Sequence, residues 1–163
     1  MDEEWKNALD GFAAVWQRVN TPAEPVLLPP AKPDGTALLR RFLSEEAGRA
    51  ADYAAIAGLT AGRGAETLRS LATDCRQCRK RLETAYFLLS GDAFLPEFRR
   101  LPPDGFLGYL RRAYLNELAG EQRYGAAAER TPPGELRSLY EELTGHCARR
   151  RERVRGLVQG ILK

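Results

Sequence analysis

The 163-residue chain is poor in the β-branched side chains that strands favour, with five Val and two Ile against 23 Leu, 23 Ala and 21 Arg. Leucine, alanine and arginine are good helix formers, so this composition predicts an all-α protein. No apolar run approaches the roughly 18 residues that a membrane-spanning helix needs. A hydrophobic content of 44% is too high for a disordered chain. The sequence therefore excludes a sheet protein, a membrane-embedded protein and a disordered one.

The chain also lacks a concentrated charge of one sign. Its net charge is +3, from 25 Lys and Arg against 22 Asp and Glu, which does not indicate a nucleic-acid partner. The densest basic run, residues 149–155, would point in all directions on a helix, and we interpret it as a solvated face. The acidic start, Met1 to Glu4, lacks the pattern of a secretion signal, so we expect a cytoplasmic protein without a membrane partner.

Two segments with different patterns divide the chain. Residues 3–18 have apolar side chains at helical spacing, which predicts a short N-terminal helix, and residues 21–33 contain five prolines, which predicts an extended connector. We therefore expect an N-terminal helix and linker over 1–34 and a helical bundle over 35–163. The N-terminal helix or a face of the bundle could pair two copies of the chain in a homodimer.

Four long helices are predicted, over residues 35–59, 64–90, 104–129 and 133–162. The first and third connections are short, so each joins two helices into an antiparallel hairpin. The second connection, residues 91–103, can extend to about 40 Å, which is the length of a helix of about 26 residues. It can therefore run the length of the bundle and leave the second and third helices parallel.

Polar residues interrupt the apolar stripe of every long helix. They are Glu46 on the first helix, Cys75 and Cys78 on the second, Glu117 and Glu121 on the third, and Cys147 and Arg150 on the fourth. All three cysteines of the chain are among them. Because a lone buried charge costs several kcal/mol, these residues should be paired with each other or bound to a metal ion.

The two hairpins resemble each other, and together they resemble a family. Glu46 precedes Tyr53 by seven residues, as Glu117 precedes Tyr124. With the phrase at 71–82, this pattern resembles the rubrerythrin-like branch of the ferritin-like di-iron proteins, which includes bacterial members. The resemblance covers about residues 35–160. It implies a ferritin-like four-helix bundle with two antiparallel hairpins and a long crossover.

The family's metal ligands are only partly kept. In the family, the first and third helices each supply a Glu, and the second and fourth each supply a Glu-x-x-His pair. By this resemblance Glu46 and Glu117 keep their roles, Cys75 and Cys147 stand at the two bridging Glu positions, and Cys78 and Arg150 stand at the two His positions. Tyr53 and Tyr124 would pack and hydrogen-bond beside the site.

The resemblance implies a thiolate-rich site for a single metal ion. Glu46, Cys75, Cys78 and Cys147 would surround the first metal position, where three thiolates and a carboxylate suit zinc or ferrous iron. At the second position, beside Glu117, the guanidinium of Arg150 would replace the second metal ion. Because neither Glu-x-x-His pair survives, we expect no efficient di-iron oxidase or peroxidase activity.

Two other interpretations stay open at this stage. Buried cysteines can be plain packing residues, and the chain would then be a metal-free bundle with a structural or partner-binding role. A thiol redox role is the other, although a redox pair prefers a helix N-terminus, which lowers a thiol pKa. His146, the single histidine, lies one residue before the polar stripe. That offset is about 100° of rotation, so we expect it to point sideways or to solvent.

Overall fold

The computed structural model describes residues 34–99 and 105–163, and within these ranges it contains four α-helices and no strand. The helices are α1 (Asp34–Ala57), α2 (Gly62–Ser90), α3 (Gly105–Arg130) and α4 (Glu135–Ile161). The predicted all-α class is confirmed, and each predicted helix end agrees with the observed one to within two residues. The predicted N-terminal helix and the proline-rich connector lie outside the described residues.

Glycines mark where the chain leaves its helices. Gly91 follows α2 with φ of 77°, in the left-handed region, and its N–H donates to the carbonyl of Phe87 at 2.8 Å. A glycine adopts this conformation without the steric cost that a β-carbon brings. The four-residue connections 58–61 and 131–134 force the chain to reverse, so α1 packs antiparallel to α2 and α3 packs antiparallel to α4.

Contacts between the hairpins fix their relative direction. Along α1 and α3, Glu46 meets Tyr124 and Tyr53 meets Glu117, so residue numbers rise on one helix as they fall on the other. On α2, Asp74 contacts Arg150 of α4, and Arg81, which is further along α2, contacts the earlier residue Glu142. The helices α2 and α4 are therefore antiparallel as well. Since α1 is antiparallel to both α2 and α3, α2 and α3 run in the same direction.

The core consists of two apolar clusters separated by a layer of charge. One cluster contains Leu39, Phe42, Leu43, Cys78, Leu82, Ala85, Tyr86, Tyr124, Ala127, Ala128, Leu139, Tyr140, Leu143 and Cys147. The other contains Ala50, Tyr53, Ile56, Ala57, Leu68, Leu71, Ala72, Cys75, Tyr109, Leu110, Ala113 and Val154. Between them in the helical register lie the buried side chains of Glu46, Arg49, Glu117 and Arg150, which we call the arginine–carboxylate layer.

The outer faces of the helices are mainly polar, with single exposed apolar side chains such as Phe87, Leu107 and Leu115. Among the described residues, no helix is both long and apolar enough to cross a bilayer. Ion pairs such as Arg137 with Glu141 lie on these exposed faces, where each contributes little to stability. The charged groups that need an explanation are therefore those of the interior.

Candidate functional site

The guanidinium of Arg150 lies at the centre of the bundle and contacts carboxylates from three other helices. Its Nε donates to Glu117 Oε1 at 3.0 Å, its Nη2 to Glu46 Oε1 at 3.1 Å, and its Nη1 to Asp74 Oδ2 at 2.9 Å. A guanidinium has five N–H donors in a planar fork, which suits it to several carboxylates at once. Arg150 therefore joins α1, α2 and α3 to α4 through charged hydrogen bonds.

A second buried guanidinium, that of Arg49, completes the layer. Its Nη1 donates to Glu46 Oε1 at 3.1 Å, its Nη2 donates to the carbonyl of Asn116 at 3.3 Å, and its Nε lies 3.9 Å from Glu117 Oε2. Burial opposes the charge of each guanidinium, but Glu46 and Glu117 outweigh this effect and raise the pKa of both arginines. Two positive and two negative charges thus balance inside the layer.

Two tyrosines donate hydrogen bonds to the same carboxylates. Tyr53 Oη donates to Glu117 Oε1 at 2.7 Å, and Tyr124 Oη donates to Glu46 Oε1 at 2.9 Å. Burial, and then the negative charge of the neighbouring carboxylate, raises the pKa of each phenol well above its ordinary value. Both tyrosines therefore stay protonated at neutral pH and lie beside the two carboxylates, where the sequence analysis expected them.

All the hydrogen bonds of each buried carboxylate fall on one oxygen. Glu46 Oε1 and Glu117 Oε1 accept the bonds given above, whereas Oε2 of both residues is buried without a hydrogen-bond partner in the described part of the chain. Buried oxygens of this kind are commonly satisfied by an ordered water or by a cation. In each carboxylate of the layer, Oε1 therefore accepts several hydrogen bonds, whereas the lone pairs of Oε2 receive no donor from the described residues.

The three cysteines surround the layer as free thiols. Cys78 Sγ lies 3.5 Å from Arg150 Nη1, Cys147 Sγ lies 3.4 Å from Arg150 Nη2, and Cys75 lies in the other apolar cluster. Burial, which outweighs the nearby guanidinium, raises the pKa of all three thiols, that of Cys78 to about 12. None of them carries the lowered pKa of a reactive cysteine.

Most of the residues expected from the sequence to bind a metal ion contact the guanidinium of Arg150. Glu46, Cys78 and Cys147 all contact the guanidinium of Arg150. Glu117 contacts the same guanidinium, and Cys75 makes its packing contacts in the cluster on the other side of the layer. Coordination of one ion by Glu46, Cys75, Cys78 and Cys147 stays a prediction.

A second set of donors converges at the edge of the layer, between α2 and α4. One ligand atom from each of Asp74, Cys78 and His146 lies within 4.8 Å of the other two, so this group could hold a metal ion. His146 Nδ1 is 2.9 Å from Asp74 Oδ1. Burial alone would raise the pKa of Asp74, but the hydrogen bond from His146 and the charge of Arg150 lower it. The carboxylate is therefore ionised, and its two oxygens have His146 and Arg150 as their partners.

The sequence analysis missed Arg49 and Asp74 and set His146 aside. Arg49 lies three residues after Glu46, a spacing at which two side chains share a helix face. Asp74 lies four residues before Cys78, again on one face, and His146 does turn sideways from the polar stripe, toward α2. Helical spacing from the predicted ligands was thus a signal for both Arg49 and Asp74.

Comparison with known proteins gives no match. No protein-family model, no curated protein and no solved structure shows significant similarity to this chain. The function must therefore follow from the geometry of the layer and of the groups around it.

Proposed function

We propose that this chain is a ferritin-like bundle of the rubrerythrin-like kind that has exchanged its di-iron centre for the arginine–carboxylate layer. We further propose that it binds one zinc or ferrous ion through Asp74, Cys78 and His146. The observation that carries the proposal is the convergence of these three donor atoms beside a layer whose charges already balance. The proposed function is single-ion binding without di-iron oxygen chemistry.

The layer is unsuited to a pair of metal ions. Arg49 and Arg150 place two fixed positive charges between Glu46 and Glu117, where a di-iron protein would hold its ions. A guanidinium has no lone pair to offer a metal and keeps its charge at any ordinary pH. A cation entering the layer would meet both charges in a medium of low dielectric constant, where repulsion is strong.

The group at Asp74 suits one borderline-soft divalent ion. Thiolate, imidazole and carboxylate are the donors that zinc uses in proteins, and a site with three protein ligands leaves a fourth position for water or another ligand. Ferrous iron accepts the same donors. An ionised Asp74 and a thiolate at Cys78 would together cancel the 2+ charge of the ion, against the repulsion of Arg150 Nη1, which lies 2.9 Å from Asp74 Oδ2 and 3.5 Å from Cys78 Sγ.

Binding would exchange a proton for the ion. At neutral pH the thiol of Cys78 is protonated, because burial raises its pKa to about 12. A metal ion binds the thiolate, so uptake must release this proton, and affinity should rise about tenfold per pH unit. The same raised thiol pKa values argue against a redox protein, whose cysteines need thiolate character at neutral pH.

Metal content and titration calorimetry test the proposal. Protein purified under reducing conditions should hold close to one zinc or iron ion per chain, and Cys78→Ser and His146→Ala should each weaken binding by about a hundredfold or more. The matched control is Cys147→Ser, because Cys147 is buried and contacts Arg150 as Cys78 does but is not in the converging group. It should leave the affinity unchanged.

Two outcomes would redirect the interpretation. If Cys75→Ser and Cys147→Ser abolish binding together with Cys78→Ser, the ion lies at the thiolate-rich position expected from the family resemblance. If the purified protein holds no metal and titration with zinc gives no saturable heat, the chain is a metal-free bundle with a structural or partner-binding role.

A further inference from the structure

A cleft of about 360 Å³ opens between α1 and α3, at a place that the proposed metal site does not use. Its volume lies in the range of small-molecule sites. The buried side chain of Arg49 lines it, and so does Phe98, on the segment after α2, which packs beside Gly48 and has 43% of its surface exposed. The cleft thus combines a charged lining with one exposed aromatic ring.

One carboxylate in this cleft is contacted by three guanidiniums. Glu45 lies 3.1 Å from Arg41 Nε through Oε1, and through Oε2 it lies 3.2 Å from Arg123 Nη2 and 3.7 Å from Arg49 Nη2. Arg49 already has its partners in the layer beneath, so Arg41 and Arg123 share the single charge of Glu45. This end of the cleft therefore carries an excess of one positive charge.

Arg41 and Arg123 also retain hydrogen-bond donors. Within the described residues, Arg41 donates only from Nε to Glu45, and Arg123 donates from Nε to the same carboxylate, with its Nη2 in ion-pair contact at 3.2 Å. Both terminal amino groups of Arg41 and the Nη1 group of Arg123 make no bond to these residues. Unused guanidinium N–H groups of this kind bind a further carboxylate with short, charge-assisted hydrogen bonds.

The remaining charges of the cleft restrict what it can bind. Asp52 and Glu97 line it as well, and Asp52 accepts a hydrogen bond from Tyr109 Oη at 3.0 Å. Two further negative charges disfavour a ligand with two charges of its own, such as a phosphate monoester. Asp52 lies seven residues beyond Glu45 along α1, so the end formed by Arg41 and Arg123 keeps its local positive charge for a single anionic group.

We propose that this cleft binds a small organic monocarboxylate with a flat apolar body. The carboxylate of the ligand accepts hydrogen bonds from Arg41 and Arg123, and its apolar body packs against the ring of Phe98. Phe98 then loses exposed apolar surface, which adds to the affinity. This site is independent of the metal ion, because Asp74, Cys78 and His146 do not line the cleft.

Ligand-observed NMR with benzoate as the probe tests the site in the full-length chain. Benzoate should bind saturably, and inorganic phosphate at matched ionic strength should bind about tenfold more weakly or not at all. Arg123→Gln and Phe98→Ala should each weaken benzoate binding by about tenfold, through loss of charged donors and of apolar contact respectively. Arg123→Lys, which keeps the charge but loses the planar fork, should restore part of the affinity.

The matched control is Arg137→Gln. Arg137 is also paired with a single carboxylate, that of Glu141, but on an exposed part of α4 outside the cleft, so its loss should not alter benzoate binding. Circular dichroism of each variant establishes that it is folded. Absence of saturable benzoate binding, equal weakening by Arg137→Gln, or phosphate binding as tight as benzoate binding would each overturn the proposal.

Discussion

Gly120 leaves open the space that the guanidinium of Arg49 occupies. A β-carbon at position 120 would lie 3.2 Å from Arg49 Cζ and 3.0 Å from Cys147 Sγ, closer than side chains normally pack. Gly120 is on α3, one turn after Glu117, and Arg49 is one turn after Glu46 on α1. The missing side chain on α3 and the long side chain on α1 are therefore two parts of the same packing arrangement.

Gly120→Ala should accordingly destabilise the protein. The added methyl group would push Arg49 away from Glu46, at a cost of about 1–3 kcal/mol in the free energy of unfolding, which exceeds the gain of up to about 1 kcal/mol from helix propensity. The control is Gly125→Ala on the same helix, where the new β-carbon would meet only Thr144 Cγ2 at 4.0 Å. That variant should gain up to about 1 kcal/mol from helix propensity. Urea unfolding followed by circular dichroism measures both, and equal stability of the two variants would contradict the packing argument.

Arg150→Met should be among the most damaging substitutions in the core. It removes one of the two guanidiniums that pair with Glu46 and Glu117, the other being that of Arg49, and breaking a buried ion pair costs about 3–5 kcal/mol. Adding Glu117→Gln to the same chain should restore part of the stability, since it removes one of the stranded charges. Arg137→Met, which breaks only an exposed ion pair, should change stability by less than about 1 kcal/mol in the same urea experiment. Arg150→Met as stable as the parent would mean that the layer contributes nothing.

Stability should fall as the pH rises above about 9. Cys75, Cys78 and Cys147 have raised pKa values in the folded protein, whereas their thiols in the unfolded chain ionise near the ordinary value of 9.0. The unfolded state therefore loses protons first, so stability that is fully present below pH 9 is progressively lost above it. Unfolding free energies at pH 8, 9 and 10 measure this slope. Replacing the three cysteines by alanine should reduce it, the remainder coming from the buried phenols of Tyr53 and Tyr124, whose pKa values are also raised above 10.0, and an unchanged slope would refute the assignment to the thiols.

Added ferrous iron should be oxidised by air no faster with the protein than in buffer alone. Arg49 and Arg150 place two guanidiniums between Glu46 and Glu117, and the group at Asp74 could hold one ion. The appearance of ferric absorbance with time, at rising protein concentrations, provides the measurement. A rate that increases with protein and saturates with iron would disprove the absence of di-iron chemistry.

Introducing the ligands of the ferritin-like di-iron proteins tests the proposed resemblance itself. The variant combines Cys75→Glu, Cys78→His, Cys147→Glu and Arg150→His with Arg49→Ala. The last two substitutions remove both guanidiniums, and the variant then has six carboxylate and imidazole ligands on four helices. It should bind two ferrous or manganous ions per chain and gain thermal stability with them, whereas the parent binds at most one. A control that keeps Arg49 should bind fewer ions. A well-folded variant that takes up no second ion would show that these positions do not face one another.

The sequence predicted the helices closely because helix formation depends on short-range features of the sequence. Composition, apolar spacing and the positions of glycine and proline act over a few residues, and they placed all four long helices to within two residues. The buried polar positions Glu46, Glu117 and Arg150 were also predicted, because a charged residue within an apolar stripe is conspicuous in any helical sequence.

Apart from the contact of Arg150 with Glu117, the partners of those charges were decided by the tertiary structure. Arg49 and Ala50 are neighbours, as are His146 and Cys147, and a step of one residue turns a side chain by about 100°. Whether that turn directs a side chain into the layer or toward another helix depends on the rotation and position of helices far apart in the sequence. The sequence determined which buried charged residues need a partner of opposite charge. Only the packing of α1 against α3 and of α2 against α4 determined that Arg49 completes the layer and that Asp74, Cys78 and His146 meet.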